Sequence, residues 1–131
     1  MVTALVVEDS VTDRERLSSY LQELEITVVG VASSEDGRVK VQSERPDLVI
    51  LDIVLPGQSG FEFCRDLKTN EQTRHIPVVI CSTKSTEADK LWGSMLGADA
   101  YLCKPVTLED LRTAIQKATR QGEEKVMNSG K

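Results

Sequence analysis

The sequence predicts an α/β domain in which helices cover both faces of a five-stranded parallel sheet. Short, strongly apolar runs recur along the chain at 4–7, 28–31, 48–51, 78–81 and 100–102. Three of these runs are nearly unbroken Val, Ile and Leu, as in strands that are buried on both faces of a parallel sheet. Segments with helical periodicity separate the runs, and strict alternation of strands and helices implies right-handed crossovers. A length of 131 residues corresponds to one domain.

Each segment between the apolar runs carries its own helix signal. Ser10 can cap the first helix, with Asp13 three residues later, and the last helix begins after Thr107, with Asp110 completing its cap. The second helix, at about 34–43, has the weakest pattern because Gly37 lies inside it. The other four helices show apolar stripes: Leu17, Tyr20, Leu21, Leu24; Phe63, Cys64, Leu67; Ala88, Leu91, Trp92, Met95; and Leu108, Leu111, Ile115, Ala118.

The position of Trp92 on the fourth stripe favours packing in the core, and contact with a partner protein is the alternative. Cys64, Cys81 and Cys103 are odd in number and have no metal-ligand spacing, so we expect reduced, buried thiols. His75 precedes Ile76 and Pro77 in a loop, and we expect it at the surface.

The composition narrows the class of protein. Hydrophobic residues make up 40% of the chain and charged residues 28%, as in a globular domain. A net charge of −5 argues against nucleic acid as a partner. The chain has no signal-peptide pattern and no apolar run of membrane-spanning length, so we expect a cytoplasmic protein that does not contact a membrane. We expect a domain at 1–120 and a polar, disordered tail at 121–131.

Charged and hydroxyl side chains follow the predicted strands at their carboxyl ends, where sheets of this kind bind ligands. These residues are Glu8 and Asp9 after the first strand, Asp52 at the end of the third, Ser82 and Thr83 after the fourth, and Lys104 after the fifth. Because the carboxyl ends of parallel strands meet at one edge of the sheet, we expect these side chains to converge. Taken alone, Glu8 and Asp9 fit a solvated turn, which is the usual fate of an acidic pair, and Lys104 fits a surface lysine.

The converging residues have complementary chemistry. Three carboxylates held together repel each other and resist ionisation, and a hard divalent cation relieves that conflict. Mg²⁺ suits a few carboxylates together with phosphate oxygens. A carboxylate such as Asp52 can act as a nucleophile that forms an aspartyl-phosphate. Lys104 can neutralise the incoming phosphoryl oxygens, and the Ser82 hydroxyl can donate a hydrogen bond to one of them.

The chain resembles the receiver domains of two-component response regulators over residues 3–120. The motifs that carry the resemblance are Val-Val-Glu-Asp-Ser (6–10), Pro-Asp-Leu-Val-Ile-Leu-Asp (46–52), Leu-Pro-Gly-Gln-Ser-Gly (55–60), Ser82 and Gly-Ala-Asp-Ala-Tyr-Leu-Cys-Lys-Pro (97–105). The resemblance implies a CheY-like, flavodoxin-like fold with strand order 2-1-3-4-5. Residues 81–93 look more narrowly like the regulators beside type IV pilus and twitching chemotaxis systems.

The resemblance also implies a role for each site residue. Asp52 would be the phosphoacceptor, and Glu8 and Asp9 would hold Mg²⁺, Asp9 more directly, together with Asp52 and the backbone carbonyl of Val54. Lys104 would pair with the phosphoryl group.

Further expectations concern the switch and the surroundings of the phosphate. Ser82 and Tyr101 would form the conformational switch, and the Lys104–Pro105 bond would be cis. The chain departs from the family pattern at three positions, one of which is Val54, where an aliphatic residue replaces an often polar one. Thr83 replaces a smaller alanine and is expected to crowd the phosphate, and Gly37 replaces an alanine of the second helix.

The leading hypothesis is therefore a stand-alone receiver, monomeric or weakly dimeric, that catalyses only its own phosphorylation and dephosphorylation. It would take its phosphoryl group from a histidine kinase or phosphotransfer protein and present an altered face to a downstream effector protein. The alternative is a pseudo-receiver that binds partners without phosphorylation. A haloacid-dehalogenase-type phosphatase fits poorly, because it needs a second aspartate where Val54 stands. A flavodoxin also fits poorly, because Glu8 and Asp9 would repel its phosphate.

Overall fold

A computed structural model describes residues 2–129 of the chain, and it describes side chains as far as residue 120. Strands and helices alternate in the following order: β1 (Thr3–Val7), α1 (Val11–Glu23), β2 (Thr27–Val31), α2 (Ser34–Glu44), β3 (Leu48–Leu51), α3 (Gly60–Thr69), β4 (Val78–Ser82), α4 (Glu87–Met95), β5 (Ala100–Cys103) and α5 (Leu108–Ser129). Helix α5 extends to Ser129 and so runs into the segment 121–131 that is expected to be a disordered tail. Residues 130 and 131 lie outside the described residues, and the domain boundary after residue 120 stays a prediction.

The sheet is parallel throughout and has the order β2-β1-β3-β4-β5, which confirms the predicted fold. The register brings the carboxyl ends of neighbouring strands level with one another. Val7 of β1 pairs with Leu51 of β3, and Ser82 of β4 pairs with Cys103 of β5. The residues that follow these pairs therefore meet at one edge of the sheet.

Two hydrophobic clusters cover the two faces of the sheet, because successive strand residues point to opposite sides. On one face, side chains such as Val6, Ile50 and Val79 pack against α1 and α5 through Leu21 and Leu111. The cluster on the other face joins the strands to α2 and α3, and its members include Leu5, Val7, Val49, Leu51, Val41, Phe63 and Leu67. The buried strand residues are thus covered from both sides.

The predicted helix caps are present. The Ser10 hydroxyl accepts a hydrogen bond from the Asp13 N–H at 3.3 Å. At α5, Thr107 and Asp110 each accept from the other's backbone N–H, at 3.0 and 3.3 Å. Helix α4 also begins with a capping box, formed by Thr86 and Asp89.

Gly37 belongs to α2, and its surroundings explain why a glycine is accommodated in this helix. It is buried, and a Cβ at this position would lie 3.2 Å from two ring carbons of Phe63 and 3.3 Å from Val7 Cγ2. The helix therefore packs closely on the sheet at a point where a methyl group would be crowded.

Helix α4 departs from the expected core packing of its apolar stripe. Leu91, Trp92 and Met95 are 63%, 49% and 68% exposed. The buried residue is Gly93, where a Cβ would lie 3.0 Å from the Tyr101 ring. Gly93 is roughly 150° around the helix from the stripe, so close packing at the glycine directs the stripe outward. The core assignment of Trp92 is therefore wrong.

Two of the three thiols are buried as predicted, Cys64 and Cys81, whereas Cys103 is exposed. Cys103 ends β5, which is an edge strand, so no neighbouring strand covers its outer side. His75 is exposed, as expected. Among the described residues, no helix combines the length and the hydrophobicity that crossing a membrane requires.

Candidate functional site

Three carboxylates meet at the carboxyl edge of the sheet. Oxygen atoms of Glu8, Asp9 and Asp52 all lie within 4.8 Å of one another. Glu8 and Asp52 are buried and Asp9 is exposed. Glu8 follows the β1 residue that pairs with the last residue of β3, and Asp52 comes directly after that β3 residue. The sheet register therefore forms the predicted acidic cluster.

Lys104 lies against this cluster and donates to three carboxylates. Its Nζ contacts Glu8 Oε1 closely, Asp52 Oδ2 at 2.8 Å and Asp13 Oδ2 at 3.0 Å. The lysine side chain is only 12% exposed. The Lys104–Pro105 peptide bond is cis, as the resemblance implied.

The protonation equilibria reflect this crowding of charge. Burial raises the pKa of Glu8 to about 7, and the neighbouring Asp52 charge adds to the effect, although Lys104 opposes it. Burial also disfavours ionisation of Asp52, but hydrogen bonds from Lys104, Ser82 and the Val54 N–H hold its pKa below the usual value. Burial acts to lower the pKa of Lys104, but hydrogen bonds to the surrounding carboxylates raise this pKa above its usual value. Asp52 is thus held ionised and Lys104 protonated.

The Asp52 carboxylate is fixed from two sides. Its Oδ1 accepts from the Val54 N–H at 3.0 Å, and Oδ2 accepts from Lys104. The backbone is also held, because Gly60 at the start of α3 lies directly against it: a Cβ on Gly60 would be 2.2 Å from the Asp52 carbonyl oxygen. The potential nucleophile therefore stands on a rigid support.

Ser82 and Tyr101, the predicted switch pair, contact the same backbone segment. Ser82 is buried at the end of β4, and its hydroxyl accepts from the Lys84 N–H at 3.2 Å. The Tyr101 hydroxyl donates to the Lys84 carbonyl oxygen. Burial raises the pKa of Tyr101 to about 12, so the phenol remains a donor. The two side chains are thus joined through the Lys84 backbone.

Val54 and Thr83 lie at the rim of the site, and both are exposed. Val54 directs an apolar side chain, 54% exposed, outward beside Asp52. Thr83 lines a cavity of about 250 Å³ that also contacts Asp13 and Lys104. The proposed crowding of the phosphate by Thr83, and the role of the Val54 carbonyl as a metal ligand, stay predictions.

Asp13 is a site residue that sequence reasoning missed. The sequence indicated a role in the cap of α1, and its N–H does bind Ser10, but its carboxylate contacts Lys104 instead of completing the cap. The sequence spacing could have indicated this role, because Asp13 follows Asp9 by four residues at the start of a helix. An acidic side chain in that turn lies near the carboxyl edge of the sheet.

The comparisons with known proteins agree with this geometry. Residues 4–116 match the response regulator receiver domain. Over 115 residues, the chain is 40% identical to protein PilH of Pseudomonas aeruginosa, covering 88% of this chain and 95% of PilH. The chain spans about half the length of several transcriptional regulatory proteins that it also matches.

Solved structures give the same result. The chemotaxis protein CheY4 of Vibrio cholerae superposes with a TM-score of 0.84 at 30% identity, covering 90% of this chain and 98% of CheY4. The Mn²⁺-bound form of the response regulator Rcp1 superposes with a TM-score of 0.75 at 27% identity, covering 88% and 90% of the two chains. With its strand order, its acidic cluster and its match over residues 4–116, the chain belongs to the response regulator receiver domain family.

Proposed function

We propose that this receiver domain accepts a phosphoryl group on Asp52 in a Mg²⁺-dependent reaction and thereby changes its affinity for an effector protein. The observation that carries the proposal is the position of Asp52, next to two further carboxylates and hydrogen-bonded to Lys104. A nucleophilic carboxylate, a cation site and an ammonium at one sheet edge are the groups that phosphoryl transfer needs.

The donor set suits a hard divalent cation. Glu8, Asp9 and Asp52 supply carboxylate oxygens, and we assign the backbone carbonyl of Val54 as a further ligand. When bound, Mg²⁺ supplies charge neutralisation for these carboxylates and for the phosphoryl oxygens. The similarity to Rcp1, described with Mn²⁺ bound, supports binding of a divalent cation by this chain.

The side chains of this chain have distinct tasks in the transfer. An Asp52 carboxylate oxygen attacks phosphorus, the bond between phosphorus and the leaving group of the donor breaks, and an aspartyl-phosphate forms. The Val54 N–H orients the carboxylate for this attack. Lys104 donates to the transferred phosphoryl oxygens and offsets their charge. The reactions that we assign to the chain are its own phosphorylation and dephosphorylation.

The switch follows from the contacts of Lys84. The Ser82 hydroxyl already hydrogen-bonds the Asp52 carboxylate, and a phosphoryl oxygen on Asp52 would be a new charged acceptor for the same hydroxyl. Movement of Ser82 toward it disturbs the hydrogen bond that Ser82 accepts from the Lys84 N–H. The Lys84 carbonyl binds Tyr101, so the displacement reaches β5 and the adjacent helix α4.

Helix α4 is the face that we assign to the effector protein. Leu91, Trp92 and Met95 form an exposed apolar patch on α4, and the opposite side of the helix packs on Tyr101 at Gly93. The phosphodonor is a histidine kinase or phosphotransfer protein, and the reaction takes place in the cytoplasm. The 40% identity with PilH, and the likeness of residues 81–93 to regulators of type IV pilus systems, support a role in pilus-based motility or taxis.

The test is phosphorylation by acetyl phosphate, followed by intact-mass measurement. The wild type should gain one phosphoryl group with Mg²⁺ and none with a chelator, and Asp52→Asn should gain none. Asp36→Asn, which removes an exposed charge from α2, is the matched control and should react like the wild type. A wild type that stays unmodified at saturating donor and Mg²⁺ would favour the pseudo-receiver alternative.

A further inference from the structure

The three carboxylates around Lys104 differ in what else they can bind. The ammonium has three donor hydrogens, and it contacts Glu8, Asp13 and Asp52. Glu8 and Asp52 also belong to the cluster that fits a divalent cation, whereas Asp13 does not. Asp13 is therefore the one acceptor of Lys104 that stays available when the other two turn to a cation or a phosphoryl group.

A cation in the acidic cluster lies close to the Lys104 ammonium, so the two positive charges repel each other. Before the cation binds, Lys104 has three carboxylate partners, and the loss of one leaves two. After it binds, Glu8 and Asp52 share their charge with the cation, and Asp13 becomes the main partner of Lys104. The Asp13–Lys104 ion pair therefore stabilises the cation-bound state more than the free state. Such a difference shifts the equilibrium toward cation binding.

Asp13 is well placed for this task. It lies in the first turn of α1, where its N–H is held by Ser10. Its carboxylate does not return to the cap, so it remains directed at Lys104 across the gap between α1 and the loop after β5. The Asp13 side chain is 33% exposed, compared with 12% for Lys104, so the pair lies at the edge of the site.

We propose that Asp13 is a positioning residue that holds the Lys104 ammonium beside the acidic cluster and so allows Lys104 and Mg²⁺ to occupy the site together. This inference rests on the proposed function. It adds a fourth carboxylate to the site, one that acts through Lys104 and does not contact the cation.

The experiment measures the dissociation constant of Mg²⁺ by calorimetry for the wild type, Asp13→Asn and Asp13→Glu. Asp13→Asn should weaken Mg²⁺ binding by about tenfold, within the range of coupling between charged groups in contact. Asp13→Glu keeps a carboxylate within reach of Lys104 and should recover most of the affinity. The matched control is Glu15→Gln, which removes an exposed charge from the same helix and should bind Mg²⁺ like the wild type.

A double-mutant cycle with Lys104→Met distinguishes positioning from simple attraction between Asp13 and the cation. If Asp13 acts through Lys104, Asp13→Asn should change the Mg²⁺ affinity of Lys104→Met no more than Glu15→Gln does. Thermal unfolding establishes that each variant is folded. An effect of equal size in both backgrounds, or equal affinities for Asp13→Asn and Glu15→Gln, overturns the inference and leaves the proposed function intact. A wild type that binds no Mg²⁺ refutes the Mg²⁺ site of the proposed function, and the inference with it.

Discussion

Replacement of Gly60 by alanine tests how rigidly the fold supports Asp52. The added Cβ would lie 2.2 Å from the Asp52 carbonyl oxygen and 2.5 Å from Ile53 Cα, both of which are backbone atoms. Ordinary van der Waals contact begins near 3.4 Å, so the α3 terminus or the Asp52 backbone must move by about 1 Å. No flexible side chain can absorb this displacement.

The energetic consequence can be bounded. Overpacking costs about 1–3 kcal/mol, and a backbone obstacle puts Gly60→Ala near the upper end. Alanine recovers up to about 1 kcal/mol through its helix propensity and the stiffer unfolded chain. We therefore expect the free energy of unfolding to fall by about 2 kcal/mol. The same shift misplaces the Asp52 carboxylate, and a displacement of that size can slow phosphorylation by about a hundredfold.

The assay is equilibrium urea unfolding followed by circular dichroism, with the phosphorylation rate measured in parallel. Gly30→Ala is the matched control, because the nearest atoms to a Cβ at this exposed strand position belong to the flexible Arg14 side chain, at 3.2 Å. The control should change the free energy of unfolding by less than about 0.5 kcal/mol. Equal stabilities for the two variants would refute the packing argument.

Three further predictions concern the surface and the thiols. Cys103 should react quickly with a thiol reagent at neutral pH, whereas Cys81 should not, because burial raises its pKa to about 12 and leaves almost no thiolate; equal labelling rates in the folded protein would contradict this. Val54→Asn should hasten loss of the phosphoryl group about tenfold, since a polar side chain can orient the attacking water where an apolar one cannot; a decay measured after donor removal that is equal or slower would show the reasoning to be wrong. Trp92→Ala should change the free energy of unfolding by less than about 1 kcal/mol in urea, because the side chain is half exposed; a larger loss would mean that Trp92 packs in the core.

The fold was largely predictable because its signals are local. Unbroken apolar runs identify strands buried on both faces, and Ser10 and Thr107 indicate where their helices begin. The position of Asp52 and Lys104 at one edge of the sheet was predictable from the rule that ligands bind at the carboxyl ends of parallel strands. Strand order came from the family resemblance, because no local pattern specifies which strands are neighbours.

The errors arose where tertiary packing decides the outcome. Helical periodicity showed that Leu91, Trp92 and Met95 share a face, but not whether that face meets the sheet. The close approach at Gly93 decides this, and a glycine has no side chain from which burial could be inferred. Asp13 was missed for a related reason: its cap position explained the residue locally, while its contact with Lys104 spans 91 residues of sequence.

The central claim is that Asp52 itself carries the phosphoryl group. Borohydride reduces an aspartyl-phosphate to the corresponding alcohol, which marks the modified residue for peptide mass spectrometry. After treatment with acetyl phosphate and Mg²⁺, the reduced residue should be found at position 52 of the wild type, and no reduced residue should be found in Asp52→Asn. A reduced residue at Asp9 or Asp13 in the wild type, or a wild type that gains a phosphoryl group but yields no reduced aspartate, would contradict the account.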